Sequence, residues 1–148
     1  MKPKIEFSDA ELQKAFNEMS PKTFRTAVKA GMRRSLNIIK RKAVANYKQE
    51  YPGSDLYKAI HAKVYRTGTG AMIDLIFLPK SRAKAYVLRF LNAGTAMRAT
   101  KEGYDRGFVS ASRFFSDAVE STKEQAQNEL MRNVNEAIVK KARKLGLT

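Results

Sequence analysis

The sequence predicts an α+β fold, with two long helices packed on a small, mainly antiparallel sheet built around a hairpin. Three observations carry that expectation. Apolar and small residues recur at intervals of three and four over 24–47 and again over 115–145, the period of a helix with one buried face. Between them, residues 60–65 alternate in polarity and 72–78 form a short apolar run broken only by Asp74, on either side of Thr67-Gly68-Thr69-Gly70, the pattern and punctuation of two strands joined by a turn. The chain has 148 residues, 43% hydrophobic, with only 8 Gly and 4 Pro, enough apolar surface to offset ordering entropy in one domain. There is no repeat or low-complexity tract, so 1–148 reads as a single domain.

Ser8 and Glu11 have capping-box spacing, and Leu12, Ala15, Phe16 and Met19 share a face, which predicts a short N-terminal helix within 1–19. Ser20-Pro21 restarts the chain, with a Ser to cap and a Pro at the first helical position, and predicts a basic long helix over 20–50. Its stripe is Phe24, Ala27, Val28, Gly31, Ser35, Ile38, Ile39, Ala43 and Tyr47, and Pro52-Gly53-Ser54-Asp55 ends it. The hairpin is expected within 55–79; its second strand, Met72 to Leu78, is apolar on both faces except at Asp74 and so expects a helical cover. Over 80–111 the expectation is a basic connector, a short helix through Tyr86, Val87, Phe90 and Leu91, then a loop with a short strand around Phe108 and Val109. Ser112 can cap a C-terminal long helix over 112–146, which Gly146 ends.

The chain carries 29 Lys+Arg against 14 Asp+Glu, a net charge of +15, with no Cys, no Trp and one His. No thiol nucleophile, disulfide or cysteine zinc site can be built, and one His cannot make a multi-histidine metal centre. The thiol-free composition suits a reducing compartment. Neither a leader-like apolar run nor a membrane-spanning stretch is present, which predicts a soluble protein made in a cytoplasm. His61 alternates with strand residues and reads as solvent-facing rather than catalytic. Asp74 is either a buried functional group or the outward residue of an edge strand. The Gly68-Thr69-Gly70 stretch lacks the third glycine and the following helix of a phosphate loop. No acid, base and nucleophile converge, so the expectation is no enzyme, no cofactor, no metal and no small-molecule substrate.

The charge is unevenly placed. No acid occurs between Glu18 and Glu50, while Lys22, Arg25, Lys29, Arg33, Arg34, Lys40, Arg41, Lys42 and Lys48 all fall there. A solvated helix normally mixes signs, so an all-positive one predicts contact with a polyanion or with acidic side chains of a partner. A second acid-free run spans 75–101, whereas the chain from Phe108 onward is nearly balanced. Aromatics do not interleave with the cations as in single-strand readers, and no helix-turn-helix, RNA-recognition or zinc-finger pattern is present.

The segment from Tyr86 to Ala118 carries Tyr86, Arg89, Phe90, Gly94-Thr95, Arg98, Thr100, Gly103, Arg106-Gly107 and Phe114-Phe115. These residues resemble the signature of the neck and tail-completion proteins of long-tailed bacteriophages, in which an aromatic-rich segment ends in a Gly-Thr corner, a basic glycine-containing loop follows, and an aromatic-plus-Ala step enters a last helix. The basic helical region, the Gly53-Ser54-Asp55-Leu56 step, the hairpin and the long last helix match that layout over roughly 20–145. Asn92-Ala93 stands where many relatives have an acidic-aromatic pair.

The resemblance implies a structural phage or prophage virion protein of the head-tail connector, neck or upper tail, made and assembled in the bacterial host cytoplasm. It would form a ring-like homo-oligomer, contact other connector and tail proteins, and lie near packaged DNA without reading bases. It further implies an assembly loop of Asn92, Gly94, Thr95, Arg98, Thr100, Gly103, Arg106 and Gly107, with Gly94 a positive-φ corner and Thr95 satisfying local backbone groups. Phe90, Phe114 and Phe115 read as core. The other reading of the residues is a cellular, sequence-independent nucleic-acid-binding protein that uses the helix over 22–48 on phosphates.

Overall fold

The computed structural model describes residues 17–18, 20–66, 70–75 and 82–146. The fold is α+β: α1 (Pro21–Glu50), a 3-10 turn (Leu56–Ala59), β1 (His61–Val64), β2 (Ala71–Asp74), α2 (Arg82–Ala93) and α3 (Phe114–Lys144). The helix expected within 1–19 lies outside the described residues, apart from Asn17 and Glu18, which are helical.

Helix α1 begins as the sequence dictates. Ser20 is the N-cap, its hydroxyl accepts from the Thr23 N–H at 3.2 Å, and Pro21 takes the first position. Helix α3 runs antiparallel along α1: Arg34 bonds Asn133, Ser35 Oγ donates to the Ala126 carbonyl at 2.7 Å, and Asn46 donates to the Phe114 carbonyl at 3.0 Å. Close approach depends on small residues. A Cβ on Gly31 would lie 2.8 Å from Leu130 Cδ1 and 3.2 Å from Asn133 Cβ. Across the seam, α3 buries Ala118, Thr122, Ala126, Asn133 and Ala142. Thr122 spends no unsatisfied polarity there, since its hydroxyl donates to the Ala118 carbonyl at 2.6 Å.

The main core sits where α1 ends. Tyr47 is 1% exposed and packs edge-on to Phe114 with ring centroids 5.1 Å apart. Ala43, Ala59, Ile60, Leu75, Leu88 and Ala118 complete the cluster, so α1, the 3-10 turn, the end of β2, α2 and the start of α3 meet there. Strands β1 and β2 pair antiparallel, with His61 opposite Asp74 and Val64 opposite Ala71. The hairpin lies against α1, and at its turn Lys29 Nζ donates to the Arg66 carbonyl.

Several expectations need correction. The two long helices do not rest side by side on the hairpin: α3 packs mainly along α1, and the hairpin packs mainly against α1. Helix α2 begins at Arg82, inside the segment expected to be a basic connector. Residues 67–69 and 76–80 lie outside the described residues, so β2 is observed only to Asp74. His61 is half-buried rather than solvent-facing. Phe90 is 42% exposed and stacks edge-on with Tyr86, whereas Phe114 is buried and Phe115 half-buried, so only the last two join the core. Ser112 does not cap α3. The helix starts after Arg113, which holds a left-handed φ of 56° and gives no side-chain cap, while the Ser112 hydroxyl is buried without a hydrogen-bond partner.

Candidate assembly interface

The cap on α3 comes from the end of α2. Asn92 Oδ1 accepts from the backbone N–H groups of Phe115 at 3.0 Å and Ser116 at 3.1 Å, and its Nδ2 donates to Ser116 Oγ. Two orphan donors of a helix start are satisfied by a residue more than twenty positions away. Backbone bonds tighten the same junction, from Ser112 N–H to the Leu91 carbonyl and from Arg113 N–H to the Asn92 carbonyl. The two ends of the intervening segment are therefore fastened together.

Gly94 makes that possible. Its φ is +75°, and a Cβ there would stand 2.8 Å from the Val109 carbonyl oxygen and 2.9 Å from the Ala111 nitrogen. Conformation and space both demand glycine. Thr95 then ties the strands side by side: its N–H donates to the Val109 carbonyl, and its Oγ1 accepts from the Val109 N–H, each at 2.9 Å.

Beyond this base the chain forms a narrow antiparallel arm over residues 95–109, in place of a loop with a strand at Phe108 and Val109. Its one bridge is Ala99 with Asp105. Arg98 donates its N–H to the Gly107 carbonyl and accepts from the Arg106 N–H, so two residues oppose one in a bulge. At the tip, the Gly103 N–H closes a turn onto the Thr100 carbonyl, and Thr100 and Tyr104 pair next to it. A turn followed by a left-handed glycine, here φ +88° at Gly103, is a standard three-residue hairpin connection.

The arm presents mixed chemistry. Met97, Tyr104 and Phe108 are 63%, 73% and 61% exposed, and Arg98, Lys101 and Arg106 are exposed beside them. Of the seven exposed large hydrophobic residues among those described, five lie between Tyr86 and Phe108. Of these, Tyr86 and Phe90 lie on α2 and Met97, Tyr104 and Phe108 on the arm, and exposed apolar side chains concentrated on consecutive elements mark a contact surface. Of the residues expected in an assembly loop, Gly94, Thr95, Arg98, Thr100, Gly103, Arg106 and Gly107 all fall in this arm or its corner. Asn92 belongs to the clamp beneath it, half-buried and committed to α3.

The cations of α1 separate into groups. Lys29 is held by the hairpin turn, and Lys42 borders a cleft of about 380 Å³ with Asn46, Ser112, Phe114 and Asp117. Lys22 and Arg25 lie exposed in the first turns. Arg34 donates to Asn133 Oδ1 at 2.7 Å, and Lys48 lies 4.5 Å from the centre of the Tyr57 ring. Arg33, Lys40 and Arg41 form no ion pair among the described residues. Four of the five acids of α3 are engaged elsewhere: Asp117 and Glu120 with Arg113, Glu129 and Glu136 with Arg132. The hydrogen bond from Arg132, helped by one from Asn133 and by the nearby charge of Arg34, holds the Glu129 carboxyl below its ordinary range.

Among the described residues no three His, Cys, Asp or Glu side chains are grouped as metal ligands, and no helix is long and apolar enough to cross a membrane. No protein-family model matches the chain, and no curated protein or solved structure matches it either.

Proposed function

We propose that the protein is a structural component of a phage or prophage virion, placed at the head-tail connector, neck or upper tail. It acts by assembling with copies of itself, in a ring, and with other connector and tail proteins near the DNA channel. The observation that carries this reading is the arm. The residues from Gly94 to Gly107 that resemble part of the neck and tail-completion signature fall on one projecting hairpin, clamped at its base by Gly94 and Thr95 and bearing exposed Met97, Tyr104 and Phe108. A rigid base with exposed apolar side chains along the arm suits insertion between neighbouring subunits, because the partner gains buried area without ordering a floppy loop. Synthesis and assembly would occur in the cytoplasm of the bacterial host. Cryo-electron microscopy of virions from a host carrying this gene tests the proposal: density for the subunit is expected at the neck or upper tail, and its absence there overturns it.

A cellular, sequence-independent nucleic-acid-binding role for the α1 cations is the second reading. It gives the arm no task, and it fails if the gene lies among capsid, portal and tail genes.

A further inference from the structure

We infer that one face of α1, formed by Arg33, Arg34, Lys40, Arg41 and Lys48, is a binding surface for the phosphate backbone of duplex DNA. Arg34, Arg41 and Lys48 follow one another at intervals of seven, and Arg33 and Lys40 repeat that interval one residue earlier. Seven residues are close to two full helical turns, so the five cations form two parallel rows spanning about 22 Å of helix. All are exposed except Lys40, which is half-exposed, and Lys40, Arg41 and Lys48 flank a shallow groove of about 350 Å³ floored by Val44 and Ala45.

Four kinds of anionic surface could meet these rows, and the composition of the face separates them. An acidic protein interface seats its Trp, Tyr and Arg anchors in well-packed, desolvated surroundings; this face has arginines, but none of the exposed large hydrophobic residues lies on α1 to pack around them. An anionic membrane needs bulky residues that enter the acyl boundary, and the groove offers only Val44 and Ala45. A single strand needs aromatic platforms for its bases; the lining of this groove has none. What remains is charge on a straight, rigid rod, which suits a duplex carrying one negative charge per roughly 1.7 Å, about 13 along the same length. The face has no reading element for base edges, so binding is independent of sequence.

This surface is separate from the arm, and duplex binding by the purified chain stands or falls independently of a place in the virion. The probe is a fluorescein-labelled 30-base-pair duplex of mixed sequence, followed by anisotropy from 50 to 200 mM salt. Five phosphate contacts predict a roughly 500-fold loss of affinity over that range. The variant R33Q/K40Q/R41Q removes three cations that form no ion pair among the described residues, and its loss over the same range should shrink to roughly tenfold. A control, K123Q/K140Q/R143Q, removes the same charge from α3 and should keep the steep dependence; far-ultraviolet circular dichroism checks that both fold. Equal effects of the two variants, or tighter binding to the single strand, to vesicles of phosphatidylglycerol or to polyglutamate than to the duplex, would overturn the inference.

Discussion

Asn92 Oδ1 stands 3.1 Å from the Ser116 backbone nitrogen and caps a helix that begins twenty-two residues further along the chain. One side chain thereby fixes both where α3 starts and where the arm over 95–109 is anchored. Removing it should cost what a lost helix cap costs. Asn92→Ala is expected to lower stability by about 1 kcal/mol, read as a reduced urea midpoint with unchanged slope.

Gly94 and Gly53 both adopt left-handed backbone, at φ +75° and +83°, but only Gly94 has neighbours where a Cβ would go. Gly53→Ala should cost about 1 kcal/mol, the conformational penalty alone. Gly94→Ala must also displace the Val109 carbonyl and Ala111, so it should cost clearly more and loosen the arm. Amide hydrogen exchange at Val109, whose N–H is bonded to Thr95 Oγ1, reports that loosening directly.

At Gly31 the test is steric rather than conformational. Leucine there has a better helix propensity by about 1 kcal/mol, yet its side chain would enter the space of Leu130 and Asn133. Overpacking costs roughly 1–3 kcal/mol, so Gly31→Leu should destabilise on balance. A thermal melt showing a higher Tm would mean that the two helices are not held this closely.

Glu129 gives a pH dependence of known sign. Its folded carboxyl titrates below the ordinary value near 4.5 because Arg132 donates to it. The stabilisation is therefore fully present above that value and is lost as pH falls through the lower, folded one. Glu129→Gln should flatten the acid limb of the stability profile by removing this stabilisation at neutral pH while leaving stability at the acid end little changed, as urea titrations across pH would show.

The arm predicts a separation of folding from assembly. Met97, Tyr104 and Phe108 are largely exposed, so replacing all three with serine should leave the Tm within a few degrees. The same variant should abolish self-association in analytical ultracentrifugation and incorporation into virions.

How much was legible beforehand varies along the chain. The bounds of α1 were written locally, because Ser20, Pro21 and the Pro52-Gly53 turn act on their own neighbours. The seven-residue spacing of Arg34, Arg41 and Lys48 was equally readable, since helical geometry places such residues on one face. The start of α3 was not: Ser112 is a plausible cap by type, but Asn92 reaches the helix first, and nothing in local spacing reveals a cap supplied from α2. Asn133 was missed as a seam residue because a buried amide breaks the apolar stripe; it is tolerated since Arg34 and Glu129 satisfy it.

By itself the sequence determined the α+β class, the hairpin and an all-positive α1, consequences of periodicity and charge order over a few residues, while the Gly94 corner was expected from the family resemblance. Tertiary structure alone decided which cations stay exposed, that α3 lies along α1 while the hairpin also packs on α1, and that 95–109 is an arm with exposed apolar side chains along it. Those outcomes depend on contacts between residues tens of positions apart, such as Asn92 with Ser116 and Gly31 with Leu130, whose energies no local pattern encodes.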